Sequence, residues 1–207
     1  MVRVKVCGIR NEGDARACLE NGVHALGLVF FEPSPRYISP EEARTLIGSL
    51  PPLVSWVGVF VDEEPGKVLE IARYVGFGTV QLHGSEPPEV CEQLKGKGLR
   101  VIKALRVADE EDLLGWEEYL GKVSAMLLDT KVPDTPGGSG RPFPWRLAKR
   151  VQGVPVILAG GLNPQNIRNA ILEVKPYGVD VSSGVERSPG VKDPALIREF
   201  MRRVREL

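Results

Sequence analysis

The sequence predicts a (β/α)8 barrel, in which eight parallel strands close into a cylinder inside a ring of helices. Short apolar runs rich in β-branched residues recur eight times along the 207-residue chain. Between them lie stretches whose apolar residues are spaced i, i+3, i+4, which is typical of helices packed on one face. Strands separated by helices pair in parallel through right-handed crossovers, and eight such units favour a closed barrel over an open doubly wound sheet.

The predicted elements follow one another without a break in composition, so residues 1–207 are expected to form a single TIM-barrel domain of the α/β class. Ser39, directly before Pro40, is the expected N-cap of the second helix. The predicted strands are Arg3–Cys7, His24–Val29, Ser55–Phe60, Thr79–His83, Arg100–Leu105, Ser124–Leu128, Pro155–Ala159 and Val179–Ser182. The predicted helices are Asn11–Asn21, Pro40–Gly48, Glu64–Tyr74, Glu86–Leu94, Asp109–Leu120, Trp145–Val151, Pro164–Val174 and Asp193–Val204.

Composition argues against several classes of function. The chain has 27 Lys plus Arg and 27 Asp plus Glu, and this balance gives no electrostatic reason to bind nucleic acid or an anionic membrane. Cys7, Cys18 and Cys91 show no CxxC spacing and no histidine cluster, so no metal site is expected. Sparse cysteines fit a reducing compartment, and neither a signal peptide nor an apolar stretch of roughly 18 residues is found. We therefore expect a cytoplasmic protein, with monomer and homodimer both open.

Two linkers are long enough to be active-site loops: Phe30–Ser39 after the second strand and Asp129–Phe143 after the sixth. The Pro-Gly-Gly-Ser-Gly stretch at 136–140 can be neither helix nor strand. A disordered surface loop is one interpretation of the longer linker. We favour a lid, because both linkers leave the C-terminal ends of strands, where barrel enzymes place catalysis.

Glycines at the ends of the last two strands predict a phosphate-binding site. Gly160 and Gly161 follow the seventh strand, and Ser183 and Gly184 follow the eighth. Glycine lets backbone N–H groups approach an anion, and a short helix starting at Ser183 would direct its N-terminus to the same place. Turn geometry would explain either pair alone. Both together, in loops where α/β barrels frequently bind phosphate, favour a phosphorylated ligand.

Other residues at the predicted barrel mouth are candidates for the chemistry. Alternation along the first strand sends Cys7 inward at the C-terminal lip, where a catalyst and a small core residue are equally supported. Asp129 ends an apolar strand and is a candidate general acid or base, with a loop salt bridge as the alternative. Arg36 follows two prolines, and its planar guanidinium suits a substrate carboxylate, although alone it would be a solvated loop charge. For His83, lining the site and a structural role are equally open.

Two charged residues are expected to influence the thiol. Lys5 lies two residues before Cys7 on the same inward face, and its charge would favour the thiolate form that a general base requires. Asp180, inward on the eighth strand, is expected to pair with Lys5 inside the barrel.

Eight motifs occur in order from residue 5 to residue 186 and so cover nearly the whole chain. They are Lys5-Val6-Cys7-Gly8-Ile9, Ser34-Pro35-Arg36, Val57-Gly58-Val59-Phe60, Gln81-Leu82-His83-Gly84, Leu128-Asp129, Gly138-Ser139-Gly140, Leu158-Ala159-Gly160-Gly161-Leu162 and Val181-Ser182-Ser183-Gly184-Val185-Glu186. Together they resemble the phosphoribosylanthranilate isomerase family of tryptophan biosynthesis. The KxCG start combined with SPR and QLHG is the most specific part of the resemblance.

The resemblance implies an aldose–ketose isomerase that needs no cofactor. Its reaction is the Amadori rearrangement of N-(5-phosphoribosyl)anthranilate to 1-(2-carboxyphenylamino)-1-deoxyribulose 5-phosphate. Asp129 matches the family's general acid, which opens the ribose ring to a Schiff base. Cys7 matches the general base, which removes the proton from C2′. Arg36 matches the residue that pairs with the anthranilate carboxylate.

Other functions fit the same barrel. Indoleglycerol-phosphate synthase would need a catalytic lysine set and an N-terminal extension, for which a strand at Arg3 leaves no room. The histidine-pathway aminoaldose isomerase is expected to carry an aspartate where Cys7 stands. A non-catalytic sensor of phosphorylated ligands would keep the glycine loops but would need neither Cys7 nor Asp129.

Overall fold

The strands close into one barrel, which confirms the predicted fold class. The computed structural model describes residues 2–131 and 143–207; in it the barrel strands pair in sequence order and the last returns to the first. All neighbouring barrel strands are parallel. The strands are β1 (Arg3–Cys7), β2 (Ala25–Val29), β3 (Ser55–Phe60), β4 (Thr79–Leu82), β5 (Arg100–Val107), β6 (Ala125–Thr130), β7 (Val156–Leu158) and β8 (Gly178–Val181).

Helices surround the barrel, and a short antiparallel pair, β9 (Glu186–Ser188) and β10 (Val191–Lys192), follows β8. The α-helices are α1 (Glu12–Glu20), α2 (Pro40–Gly48), α3 (Pro65–Val75), α4 (Pro88–Gly96), α5 (Ile167–Val174) and α6 (Pro194–Arg205). The bounds of α2 are the predicted ones, because Ser39 and Glu42 cap its first turn reciprocally. Among the described residues, no helix is long and apolar enough to cross a membrane.

The helix predicted over Asp109–Leu120 is wrong. Two 3₁₀ helices, Glu111–Leu113 and Trp116–Tyr119, occupy this stretch. Gly115 between them has a φ of 79°, in the left-handed region that interrupts a helix. Leu114 is 82% exposed, so the apolar residues do not form one buried face.

The segment predicted as the helix Trp145–Val151 is also a 3₁₀ helix, Trp145–Arg150. Its first bond runs from the Leu147 N–H to the Pro144 carbonyl, three residues back, as short helical segments favour. The lid predicted over Asp129–Phe143 falls almost entirely on residues 132–142, which lie outside the described part of the chain.

Strand alternation divides the core into two layers. Val4 and Val6 of β1 belong to the large cluster between the sheet and the helices, whereas Lys5 faces the barrel interior. The apolar part of that interior consists of Val57, Ile102, Ala104, Ala125, Leu127, Ile157 and Ala159. The interior also holds buried polar side chains, among them Lys5 and Asp180.

A buried ion pair ties β5 to the loops after β3 and β4. Lys103 Nζ lies 2.6 Å from Glu86 Oε2 and 2.7 Å from the Gly84 carbonyl oxygen. Glu86 in turn accepts hydrogen bonds from the backbone N–H groups of Asp62 and Gly84. Both charged side chains are at most 3% exposed. The pair thus fixes the backbone directly after His83.

Replacing Lys103 by Met should destabilise the fold, because Glu86 would keep a buried charge without its cation. We expect the free energy of unfolding in urea to fall by about 3–5 kcal/mol. Lys122→Met, which removes a more exposed ion pair with Glu89, is the matched control and should cost about 0–1 kcal/mol. Adding Glu86→Gln to Lys103→Met should recover part of the loss; an undiminished loss would contradict this explanation.

Candidate active site

A cavity of about 450 Å³ lies at the C-terminal ends of the barrel strands. Most of the site residues predicted from the sequence line it, namely Cys7, Arg36, His83, Asp129, Gly160, Gly161 and Ser183. Gly184 does not line the cavity. A Cβ at Gly184 would overlap the Leu162 carbonyl oxygen, so the glycine lets the loop after β8 pack on the loop after β7. Within residues 2–131 and 143–207, no His, Cys, Asp and Glu side chains form a group that could hold a metal.

The loop after β7 is held in a conformation that only glycine adopts easily. Gly160 and Gly161 have φ values of 84° and 68°. A Cβ on Gly160 would also overlap the side chain of Thr130 on β6. The side-chain amide of Asn166 holds the loop in place by donating a 2.9 Å hydrogen bond to the Gly161 carbonyl. After β8, a 3₁₀ helix at Ser183–Val185 supplies the short helix that the sequence predicted.

Cys7 lies at the end of β1 beside a buried ion pair. Lys5 Nζ is 2.9 Å from Asp180 Oδ2, and both side chains are below 10% exposure, so the predicted pair is present. Burial raises the pKa of the Cys7 thiol, and the positive charge of Lys5 lowers it only in part. The expectation that Lys5 favours the thiolate has the right sign. The effect of the Lys5 charge is too small to bring the Cys7 pKa below that of an ordinary thiol, because burial and the negative charge of Asp180 raise this pKa.

Asp129 is joined to a chain of two further polar side chains. Its Oδ2 lies 3.1 Å from His83 Nε2, and its Oδ1 accepts from the Thr130 N–H at 2.8 Å. On the other side of the imidazole, His83 Nδ1 is 2.8 Å from Gln81 Nε2. The Asp129 side chain is 30% exposed, so it is open to a ligand in the cavity while the histidine orients it.

Arg36 is oriented by a carboxylate distant in sequence. Its Nε and Nη2 donate to the two oxygens of Glu186 at 2.8 and 2.7 Å, and Lys192 Nζ lies 2.7 Å from the same carboxylate. Burial opposes the ionisation of Glu186, but the hydrogen bonds from Arg36 and Lys192 outweigh it and hold its pKa below the usual range. Gly8 packs on the stem of Arg36, where any Cβ would be too close to Cδ. The solvated loop charge considered for Arg36 is therefore wrong.

Sequence reasoning did not single out Gln81 or Glu186, and it treated Asp180 only as a partner of Lys5. Gln81 and Asp180 were detectable in part. Gln81 lies two residues before His83 on the same strand face, and Asp180 has the same inward parity on β8. Glu186 gave no local signal, because its partner Arg36 is 150 residues away.

The reactivity of Cys7 should report the charges around it. Lys5→Met should slow alkylation of Cys7 at a fixed pH near 8, because it removes a charge that lowers the thiol pKa; Asp180→Asn should accelerate it. Cys18 and Cys91 are buried, and burial raises their pKa to about 12 and about 11, so they contribute little signal. Mass spectrometry of the labelled peptide gives the rate. Equal rates in both variants would contradict the electrostatic account.

The chain is similar over its full length to proteins of one family. Residues 4–203 match the family model described as N-(5′-phosphoribosyl)anthranilate (PRA) isomerase. The N-(5′-phosphoribosyl)anthranilate isomerase of Thermotoga petrophila is 49% identical over 212 residues, with 100% of both chains covered. That of Geobacter sulfurreducens is 48% identical over 206 residues, with 99% of both chains covered.

Solved structures agree, and in each of three cases 100% of both chains is covered. Phosphoribosyl anthranilate isomerase from Thermotoga maritima has a TM-score of 0.92 at 48% identity. Monomers generated from the dimeric isomerase of that organism have a TM-score of 0.87 at 44% identity. An isomerase in complex with reduced 1-(o-carboxyphenylamino)-1-deoxyribulose 5-phosphate has a TM-score of 0.88 at 45% identity. The chain therefore belongs to the N-(5′-phosphoribosyl)anthranilate isomerase family.

Proposed function

We propose that this isomerase of tryptophan biosynthesis works by general acid–base catalysis, with Asp129 as the acid and Cys7 as the base. Its reaction is the Amadori rearrangement of N-(5-phosphoribosyl)anthranilate to 1-(2-carboxyphenylamino)-1-deoxyribulose 5-phosphate. The observation that carries the assignment is that both side chains line one cavity, from the ends of β6 and β1. Two groups on different strands can reach two sides of one sugar, as the chemistry requires.

The proposed reaction has three proton-transfer stages. Asp129 gives a proton to the ribose ring oxygen, the C1′–O bond breaks, and the nitrogen lone pair forms the Schiff base. Cys7 then removes the proton from C2′, and its electrons neutralise the iminium to give an enolamine. The enolamine loses its hydroxyl proton and gains one at C1′, which yields the ketone. No step requires a redox cofactor.

The two ends of the substrate need separate anchors. Gly160, Gly161 and Ser183 line the cavity and are suited to the 5′-phosphate, because glycine lets backbone N–H groups approach an anion, while Gly184 lets the loop after β8 pack beside them. Arg36 is suited to the anthranilate carboxylate, since Glu186 engages only two of its five N–H groups. The relative bound to a reduced carboxyphenylamino-deoxyribulose phosphate supports a ligand with these two charged ends.

Loss of Cys7 or Asp129 function should reduce turnover while the fold is retained. Cys7→Ser and Asp129→Asn should each lower kcat by about 10²–10⁴-fold, the contribution typical of a positioned acid or base. Substrate loss is measured by anthranilate fluorescence and folding by circular dichroism. Near-normal turnover in a folded variant would refute the role of that residue.

Where the Asp129 acid keeps its proton, the rate should rise with pH, because the raised pKa of Cys7 leaves the thiolate a minor form in the neutral range. An unperturbed thiol is only about 3% ionised at pH 7. Cys7→Asp supplies a base that is already ionised, so it should exceed Cys7→Ser in rate and lose the rise with pH. A rise that is identical in Cys7→Asp would assign the pH dependence to another group.

Arg36→Met should weaken binding of carboxylated ligands. We expect KM and the inhibition constant of a carboxyphenylamino product analogue to rise roughly tenfold or more, the cost of a lost charge-assisted hydrogen bond. Arg187→Met, on the exposed residue beside Glu186, is the matched control and should leave both unchanged. An analogue lacking the carboxylate should bind both variants equally; an equal loss for it would show that Arg36 holds something else.

The domain organisation, compartment and oligomeric state of the enzyme can also be proposed. We propose one barrel domain over residues 1–207 in a reducing, cytoplasmic compartment, in keeping with three unpaired cysteines. The relative described as dimeric supports a homodimer rather than a monomer. Sedimentation equilibrium would then give twice the 22.7 kDa chain mass.

A further inference from the structure

Gln81 is a buried polar residue inside the barrel that the proposed reaction does not use. It is 1% exposed and lies on β4, two residues before His83. Its Nε2 is 2.8 Å from His83 Nδ1, while its Oε1 is buried and has no hydrogen-bond partner among the described residues. A buried amide oxygen without a partner costs free energy, so its retention here calls for a role.

The orientation of the Gln81 amide, together with Asp129 on the other side of the ring, influences where the imidazole carries its proton. Because the amide N–H points at Nδ1, Nδ1 must accept, and a neutral His83 then has its proton on Nε2. That Nε2–H donates to Asp129 Oδ2 over 3.1 Å, so this oxygen of Asp129 acts as the acceptor. In this state the His83–Asp129 pair holds no proton that it can deliver to a sugar.

When the pair takes up one more proton at the imidazole or between Nε2 and Oδ2, Nδ1 becomes a donor. This holds whether the result is an imidazolium beside a carboxylate or a neutral Nδ1–H imidazole beside a carboxylic acid. The N–H of Gln81 would then face another N–H. Rotation of the amide by half a turn about its last torsion, which is soft, replaces Nε2 with Oε1 and restores the hydrogen bond. The atom that lacks a partner in the present state is the one that this second state requires.

We propose that Gln81 is a positioning residue whose amide turns as the His83–Asp129 pair gains or loses the proton used in catalysis. The proposal rests on Asp129 being the general acid. The proposal adds that Asp129 receives its proton through a relay from β4 to β6, in which Gln81 helps to set the tautomer of His83.

Other charges near His83 have their own partners. Asp180 of β8 is paired with Lys5 of β1, whose neighbour is Cys7. Lys103 of β5 donates to the Gly84 carbonyl beside His83, but its charge is matched by Glu86. The Gln81 amide is the group within hydrogen-bond distance of Nδ1 in the described structure, so it controls that nitrogen directly.

The test uses the fact that the chain has only two histidines. Nitrogen-15 NMR of the histidine side chains in the substrate-free protein distinguishes a protonated from an unprotonated Nδ1. His24, whose Nδ1 accepts from the Val4 N–H at 3.0 Å, is an internal reference, and a His24→Gln variant assigns the signals. In the wild type above neutral pH, we expect His83 to be the Nε2–H tautomer.

Three variants make the test decisive. Gln81→Glu puts an acceptor against Nδ1, so His83 should become protonated there, and activity should persist to higher pH because the pair keeps its proton. Gln81→Met removes the donor to Nδ1, so His83 should lose one of the two hydrogen bonds that hold its ring, and kcat should fall roughly three- to tenfold with KM nearly unchanged, while Asp129 alone keeps the proton on Nε2. Gln93→Glu, the same charge change on an exposed residue of α4, should behave as the wild type.

The proposal is overturned if wild-type His83 carries its proton on Nδ1 above neutral pH, or if Gln81→Glu leaves the tautomer unchanged. Should Gln81→Glu not fold, an unchanged kcat in a folded Gln81→Met variant overturns it equally. The tautomer readouts need no substrate. The role of Asp129 is tested separately by Asp129→Asn, so failure of the relay and failure of the acid–base assignment are distinguishable.

Discussion

Closure of the barrel between β8 and β1 sets the chemistry of the cavity. The register of this strand pair places Lys5 directly opposite Asp180, and strand alternation turns both side chains inward. A buried lysine and a buried aspartate are each costly alone and tolerable only together. The same register brings Cys7, two residues further on, to the lip of the barrel beside this pair. The electrostatic environment of the thiol therefore follows from how the cylinder closes.

The charges around the cavity are compensated in a way that leaves particular atoms available. Glu186 forms one ion pair with Lys192 and another with Arg36, so two cations compensate the charge of its carboxylate. Glu186 engages two of the five N–H groups of Arg36 and leaves the other three to different partners. The planar group of Arg36 is fixed before a ligand arrives, which lowers the conformational entropy lost on binding. Asp129 is arranged in the same manner, with one oxygen on Thr130 and the other on His83.

How far the sequence predicts this molecule depends on the range of the interactions. Strands follow from local patterns, and all eight occur where apolar runs predicted them, with ends shifted by up to two residues. The helix predicted over Asp109–Leu120 was wrong. The apolar residues there have helical spacing, but Gly115 adopts a left-handed conformation that interrupts the helix. Cys7, Asp129 and Asp180 were accessible because strand parity and strand ends are local properties. Partnerships such as Arg36 with Glu186 depend on the closed fold, and no local pattern encodes them.

Glycine contacts explain how several loops can form one rigid site. Gly8 packs on Arg36, Gly160 on Thr130 and Gly184 on the Leu162 carbonyl, and a Cβ at any of these positions would overlap its neighbour. Each contact joins loops that leave different strands. An acid and a base on separate strands act on one substrate only if their separation is fixed to a fraction of an ångström. Side chains at these contacts would push the neighbouring segments apart, so the glycines maintain the spacing of the side chains around the cavity.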